Sequence, residues 1–262
     1  MIEAVPARDY MSAPVVGVPG DLALGLLEEH FERYDVTALA VFGDSGVAEG
    51  VVSRTDLFRS GTMEPIEGGR ALSLPEGCAR DIMTRDLVTV EVRAQLVDAA
   101  RLMVKRHVHR VFARDDETLE GVVAASDVMR ALVDHRVELS LADVMTESIV
   151  SVQVDQSLRL AAERTAAAQK QALVVLDGEW PVGIVSQDQL LVARNWPADM
   201  SVEEWMSLRV LCLPRGMPVH RAASHALAMG VRHVLVMSEQ GLVGIATGID
   251  FARAWVRAAS KA

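Results

Sequence analysis

Two short blocks recur four times along the 262 residues at a common period, and a chain built that way folds as copies of one unit. The first block reads Arg-Asp-Tyr-Met-Ser from Arg8, Arg-Asp-Ile-Met-Thr from Arg80, Ala-Asp-Val-Met-Thr from Ala142 and Glu-Glu-Trp-Met-Ser from Glu203. Its methionines, Met11, Met83, Met145 and Met206, lie 72, 62 and 61 residues apart. The second block reads Gly-Val-Val-Ser-Arg-Thr-Asp from Gly50, Gly-Val-Val-Ala-Ala-Ser-Asp from Gly121, Gly-Ile-Val-Ser-Gln-Asp-Gln from Gly183 and Gly-Ile-Ala-Thr-Gly-Ile-Asp from Gly244. Its spacings of 71, 62 and 61 track the first. Two markers sharing one period indicate four repeats.

Each repeat reads strand, helix, strand, strand, helix. In the second copy, residues 87–92 form a short β-branched run that predicts a strand. Residues 94–106 follow with Leu96, Val97, Ala100, Met103 and Val104 at helical spacing. Residues 111–113 and 119–123 predict two strands around a charged turn, and 126–133 the closing helix. The other inter-strand turns, 43–46, Asp177-Gly178 and 238–241, are rich in residues that tolerate turn geometry. The stretch 60–77, with four glycines and two prolines, is expected to be an irregular surface loop that lengthens the first period.

A unit of about 60 residues with so few strands leaves apolar surface uncovered, so it is expected to pair with its neighbour. The expected organisation is two paired halves, 1–136 (repeats about 1–62 and 78–136) and 137–262 (repeats about 137–198 and 199–262), each soluble when expressed alone.

The net charge of −10 disfavours non-specific binding to nucleic acid or anionic membrane, and 4% aromatic residues leave little for stacking bases. No apolar run approaches the roughly 18 residues that span a bilayer. The start, Met1-Ile2-Glu3-Ala4-Val5-Pro6, lacks the pattern of a signal peptide. Cys78 and Cys212 fall in different repeats, which argues against a disulfide framework. A soluble cytoplasmic protein is expected. No Walker loop, dinucleotide-binding glycine motif, His-Glu-x-x-His or nucleophile elbow is present, so no enzyme activity and no catalytic cofactor are expected.

The Asp-x-Met-Thr/Ser block, the element order and the closing Gly-h-h-Ser/Thr-x-x-Asp block (h apolar) together resemble the cystathionine β-synthase (CBS) domain, here as four tandem repeats over essentially the whole chain. The resemblance implies an α+β fold of four strand-helix-strand-strand-helix repeats paired into two pseudo-twofold modules. It implies binding of adenosine-containing ligands (AMP, ADP, ATP or S-adenosylmethionine) in clefts between paired repeats. It also implies a regulatory, energy-sensing role, with output through a protein partner or self-association. A ligand-free scaffold and a divalent-cation sensor are the alternatives.

The closing block has two readings. Ser-x-x-Asp at a strand-to-helix junction is a capping box. In the family it also faces the cleft, its carboxylate accepting from ribose hydroxyls. Ser53 and Asp56 in repeat one, and Thr247 and Asp250 in repeat four, keep both groups. Repeat two keeps Asp127 but has Ala124 for the hydroxyl, and repeat three keeps Ser186 but has Gln189 for the acid, with Asp188 one residue early. Two competent and two degraded clefts are expected. Phosphate recognition in the family falls to basic residues entering the second strand. His109-Arg110 and Arg232-His233 occupy that place in the even repeats, against Thr37-Ala38 and Gln171-Ala172 in the odd ones. The division suggests a composite cleft in which Asp56 from repeat one and Arg110 from repeat two work together. His107 and His109 lack a third metal ligand, so no metal site is expected. Met83, Met103, Met129 and Met229, and all four tryptophans, are expected to pack, with Trp205 the one that borders a cleft.

Overall fold

The structure, a computed structural model, describes residues 4–260 except 67, 68, 117, 169–171, 194 and 195. Met1, Ile2, Glu3, Glu117, Gln171 and the side chain of Asp188 lie outside the described residues.

All four repeats follow the expected element order. Repeat one supplies β1 (Gly17–Pro19), α1 (Leu27–Arg33), β2 (Ala38–Phe42), β3 (Ala48–Ser53) and α2 (Arg54–Ser60). The stretch expected to be irregular contains instead an antiparallel hairpin, β4 (Thr62–Ile66) with β5 (Gly69–Ser73). Repeat two supplies α3 (Ala79–Ile82), β6 (Thr89–Glu91), α4 (Leu96–Arg106), β7 (Arg110–Asp115), β8 (Thr118–Ala124) and α5 (Ala125–Asp134). Repeat three supplies β9 (Ser151–Gln153), α6 (Leu158–Ala168), β10 (Ala172–Asp177), β11 (Trp180–Ser186) and α7 (Gln187–Val192). Repeat four supplies β12 (Leu211–Pro214), α8 (Val219–Met229), β13 (His233–Ser238), β14 (Gly241–Thr247) and α9 (Gly248–Ala259).

In each three-stranded sheet the first strand runs parallel to the second and the second antiparallel to the third. Each antiparallel ladder slips register at the same place: Val41/Phe42, Ala113/Arg114, Val175/Leu176 and Val236/Met237. A shared bulge ahead of the closing block marks the repeats as copies in backbone as well as sequence.

Backbone packing divides the chain into two units. The first holds residues 1–15, 88–149 and 209–262, and the second holds 16–87 and 150–208. The units therefore join repeats two and four, and repeats one and three, where the halves 1–136 and 137–262 would join consecutive repeats. In the first unit α4 packs on α9, and α5 on α8 and α9, with Leu132, Phe251 and Trp255 fully buried. In the second, α2 packs on α7, and Phe31, Leu39, Leu57 and Leu173 are fully buried.

The opening blocks explain how consecutive repeats are nevertheless linked, because each block docks on the other member of its sequence pair. Ser12 and Val122 exchange two backbone hydrogen bonds of 2.9 Å, so the repeat-one block adds to β8 of repeat two. Thr84 pairs in the same way with Val51, Thr146 with Ile245 and Ser207 with Ile184. At each joint a methionine lies against the first glycine of a closing block. A Cβ on Gly121 would meet the Met11 sulfur at 2.7 Å, and one on Gly244 the Met145 sulfur at 2.7 Å. A Cβ on Gly50 would meet the Thr84 carbonyl at 2.7 Å and the Met83 sulfur at 2.8 Å; on Gly183 it would collide with the Met206 sulfur. The two sequence markers share a period because they are the two sides of one contact.

Met83, Met103, Met129, Trp205 and Trp255 are buried as expected. Met229 is 43% exposed at the last residue of α8, and Trp180 is 71% exposed at the start of β11, where the hairpin turn carries it off the packed face. Trp196 is exposed as well.

Candidate functional site

The closing block works as a helix cap in every repeat. Asp56 Oδ2 accepts from the Ser53 N–H at 2.8 Å and from Ser53 Oγ at 2.6 Å. Asp127 Oδ2 accepts from the Ala124 N–H at 2.7 Å, and Asp250 Oδ2 from the Thr247 N–H at 2.8 Å and Thr247 Oγ1 at 2.9 Å. Gln189 Oε1 replaces the carboxylate and accepts from the Ser186 N–H at 2.9 Å. Repeat three thus keeps its cap without the negative charge, while its Nε2 donates to the Trp205 carbonyl. Trp205 belongs to the docked block and is buried in the core of the second unit.

The outer oxygens of the acids separate the repeats. Asp250 Oδ1 accepts from Arg253 Nη1 at 2.7 Å and from Thr146 Oγ1 at 3.1 Å. Arg253 also donates to the Val144 carbonyl at 2.9 Å, so it ties the acid to the block that repeat three contributes. Asp127 Oδ1 is held by Arg130. Both acids are 2% exposed, and burial raises the pKa of Asp127 against the opposing pull of the Ala124 N–H and Arg130. Asp56 is only half-buried and bonds to Ser53 alone among the described residues. Thr146, Arg130 and Arg253 were not selected from the sequence. The signal for the arginines was present as Asp-x-x-Arg in repeats one, two and four, a spacing that places the two side chains on one helix face.

The four basic candidates come together in the first unit. Strand register sets Arg110 opposite Ala124 and His233 opposite Thr247, so each basic pair adjoins a closing block. The starts of α5 and α9 touch: a Cβ on Gly248 would lie 2.5 Å from the Ala125 Cβ and 3.0 Å from His109 Nδ1. Only glycine permits that approach. The His109 pKa falls to about 4, chiefly through burial, then through Arg110 and Arg232, with Asp250 opposing. The His233 pKa also falls to about 4 through burial, Arg232 and His109. Part of each ring remains open to solvent, yet most of its surroundings are protein, and both rings are neutral at pH 7.

Two guanidinium groups, with two neutral imidazoles that can donate hydrogen bonds, favour an anion. Ser53 and Asp56 belong to the second unit, which contains neither basic pair, so the structure groups the two basic pairs with each other. His107 is an exposed residue ending α4 at φ 53°, apart in role from His109. Among the described residues no helix is long and apolar enough to cross a membrane.

The CBS domain profile matches residues 7–61, 79–134, 141–195 and 202–257. The fold is similar to that of protein MJ1225 from Methanocaldococcus jannaschii, at TM-score 0.79 and 17% identity, covering 95% of this chain and 99% of that one. An uncharacterised conserved protein from Pyrococcus horikoshii gives TM-score 0.70 at 19% identity, covering 96% and 100%. Among curated sequences, hypoxic response protein 1 of Mycobacterium tuberculosis is 24% identical over 131 residues, half of this chain and 87% of that protein. Homoserine O-acetyltransferase of Methanohalobium evestigatum is 27% identical over 112 residues, which span 42% of this chain and 22% of that enzyme. With the profile found once in each of the four repeats, the chain belongs to the CBS domain family.

Proposed function

We propose that this protein is a cytoplasmic regulatory sensor of adenosine-containing nucleotides, with AMP, ADP, ATP and S-adenosylmethionine as the candidate ligands. The observation that carries the reading is the meeting of His109, Arg110, Arg232 and His233 beside the capped starts of α5 and α9, one turn from Asp127 and Asp250. The buried acids and Asp56 supply ribose acceptors, and the basic cluster supplies phosphate recognition. MJ1225, which shares the fold, has been proposed as an archaeal homologue of the γ subunit of AMPK. The docked blocks also bring the opening segments of repeats one and three into the unit that holds this cluster. Output passes to a protein partner or to a second copy of the chain.

Micromolar affinity, about −7 to −8 kcal/mol, is expected from calorimetry with at least one of the four nucleotides. Asp56→Ala is expected to cost about 2 kcal/mol at its own site, for adenosine as much as for AMP. Arg110→Ala and Arg232→Ala are expected to weaken ATP at least tenfold while sparing adenosine, with the difference shrinking as salt rises. Equal losses for ATP and adenosine would make the arginines structural. A second reading, a scaffold without ligand, draws on the occupation of Asp127 and Asp250 by arginines of their own helices. Absence of heat and of any melting shift with millimolar nucleotide would favour it.

A further inference from the structure

The three acids of the closing blocks present different outer oxygens to a ligand. In each, Oδ2 is committed to the helix start, through the N–H of Ser53, Ala124 or Thr247. Oδ1 is then the remaining acceptor. An arginine follows each acid by three residues, yet only Arg130 and Arg253 hold it; among the described residues Arg59 forms no pair with Asp56. We infer that Arg130 and Arg253 are internal occupants of the ribose acceptors, so that the Asp56 site takes nucleosides freely and the Asp127 and Asp250 sites open only to ligands that draw the arginine away. The inference rests on the proposed role of the closing acids in ribose binding.

The selectivity follows from charge. A ribose hydroxyl is a neutral donor, and it replaces a charge-assisted bond to a buried carboxylate at a loss. A phosphorylated ligand offers the displaced guanidinium a new anion and restores the balance. The arginine side chains are 53% and 34% exposed, so each has solvent-facing room to leave its acid. Asp56, half-buried and bonded only within its cap, requires no displacement. The even sites thus discriminate for phosphate through two residues, and the odd site does not.

Calorimetry on the full chain at pH 8, with adenosine and AMP as probes, tests this. The wild type is expected to bind adenosine at one site, lost in Asp56→Asn, and AMP at more than one. Arg130→Met is expected to add an adenosine site with at least a tenfold gain there, and Arg253→Met a further one. Arg253 also bonds the Val144 carbonyl, so Arg253→Gln, which keeps a neutral donor, covers the case in which the methionine variant fails to fold. Unchanged adenosine stoichiometry in Arg130→Met and Arg253→Gln, with the Asp56 site intact, would overturn the inference alone. So would loss of AMP binding without a gain for adenosine, because the arginines would then be ligand contacts. If neither probe binds to the wild type or to any variant, the nucleotide reading falls and takes this inference with it.

Discussion

Gly50→Ala is expected to lower the unfolding free energy by about 3 kcal/mol, measured by denaturant titration, because the nearest atom to the new methyl group is fixed backbone and moving the Met83 side chain does not relieve that contact. Its Cβ would sit 2.7 Å from the Thr84 carbonyl, backbone that is fixed by two hydrogen bonds to Val51. Gly121→Ala meets first the sulfur of Met11, the end of a flexible side chain, and then the Ser12 carbonyl at 3.0 Å. Met11→Ala is therefore expected to rescue much of Gly121→Ala, whereas Met83→Ala rescues little of Gly50→Ala. A double-mutant cycle measures both couplings. Gly25→Ala, where a Cβ meets nothing within 4 Å, is the control and is expected to be near neutral. Equal small effects at Gly50 and Gly25 would remove the joint as the reason the two markers recur together.

The second large effect is a loss of stability in acid. Folding depresses the pKa of His109 and of His233 from 6.5 to about 4. Between those values the unfolded chain binds more protons than the folded one, so stability rises with pH in that window. The contribution is fully present above about pH 6.5 and is lost as pH falls toward 4. At 1.36 kcal/mol per pKa unit each ring contributes up to about 3 kcal/mol, less what solvent at the ring edge screens. Asp127 has the opposite sign: its pKa is raised, so protonation favours the fold and softens the loss at the acid end. Thermal unfolding of the wild type between pH 7 and 4 is expected to show a steep decline, and the His109→Gln/His233→Gln variant a flatter one. A parallel decline in both proteins would assign the acid sensitivity to other groups.

Much of this was legible because it is local. The strand-helix-strand-strand-helix order follows from periodicity, and the capping role of Ser53–Asp56 and Thr247–Asp250 follows from their spacing. The even-repeat basic pairs were legible from position, since strand register carries them to their closing blocks. Contacts between distant segments were not legible. The packing of α4 on α9 and the docking of Met11 on Gly121 require knowing which faces meet, and a shared period names both partners without saying that they touch. Arg130 and Arg253 were missed because Asp-x-x-Arg on a helix usually describes a solvated pair, and only burial of Asp127 and Asp250 gives it consequence. The hairpin β4–β5 was hidden by its glycines and prolines, and the exposure of Trp180 by the assumption that a tryptophan packs.

The docked blocks impose an order of events on synthesis. Met11 leaves the ribosome well before Gly121, the surface it joins, and the helices of repeat two find their packing partners only when α8 and α9 are made. At about 5–20 residues per second, the first unit waits roughly 10–50 s between its first segment and its last. For roughly the second half of that interval the apolar faces of α4 and α5, which later cover Trp255 and Phe251, stand open to water. Chains stopped near residue 136 are therefore expected to seek one another, with the uncovered faces of two copies standing in for the half that was never made.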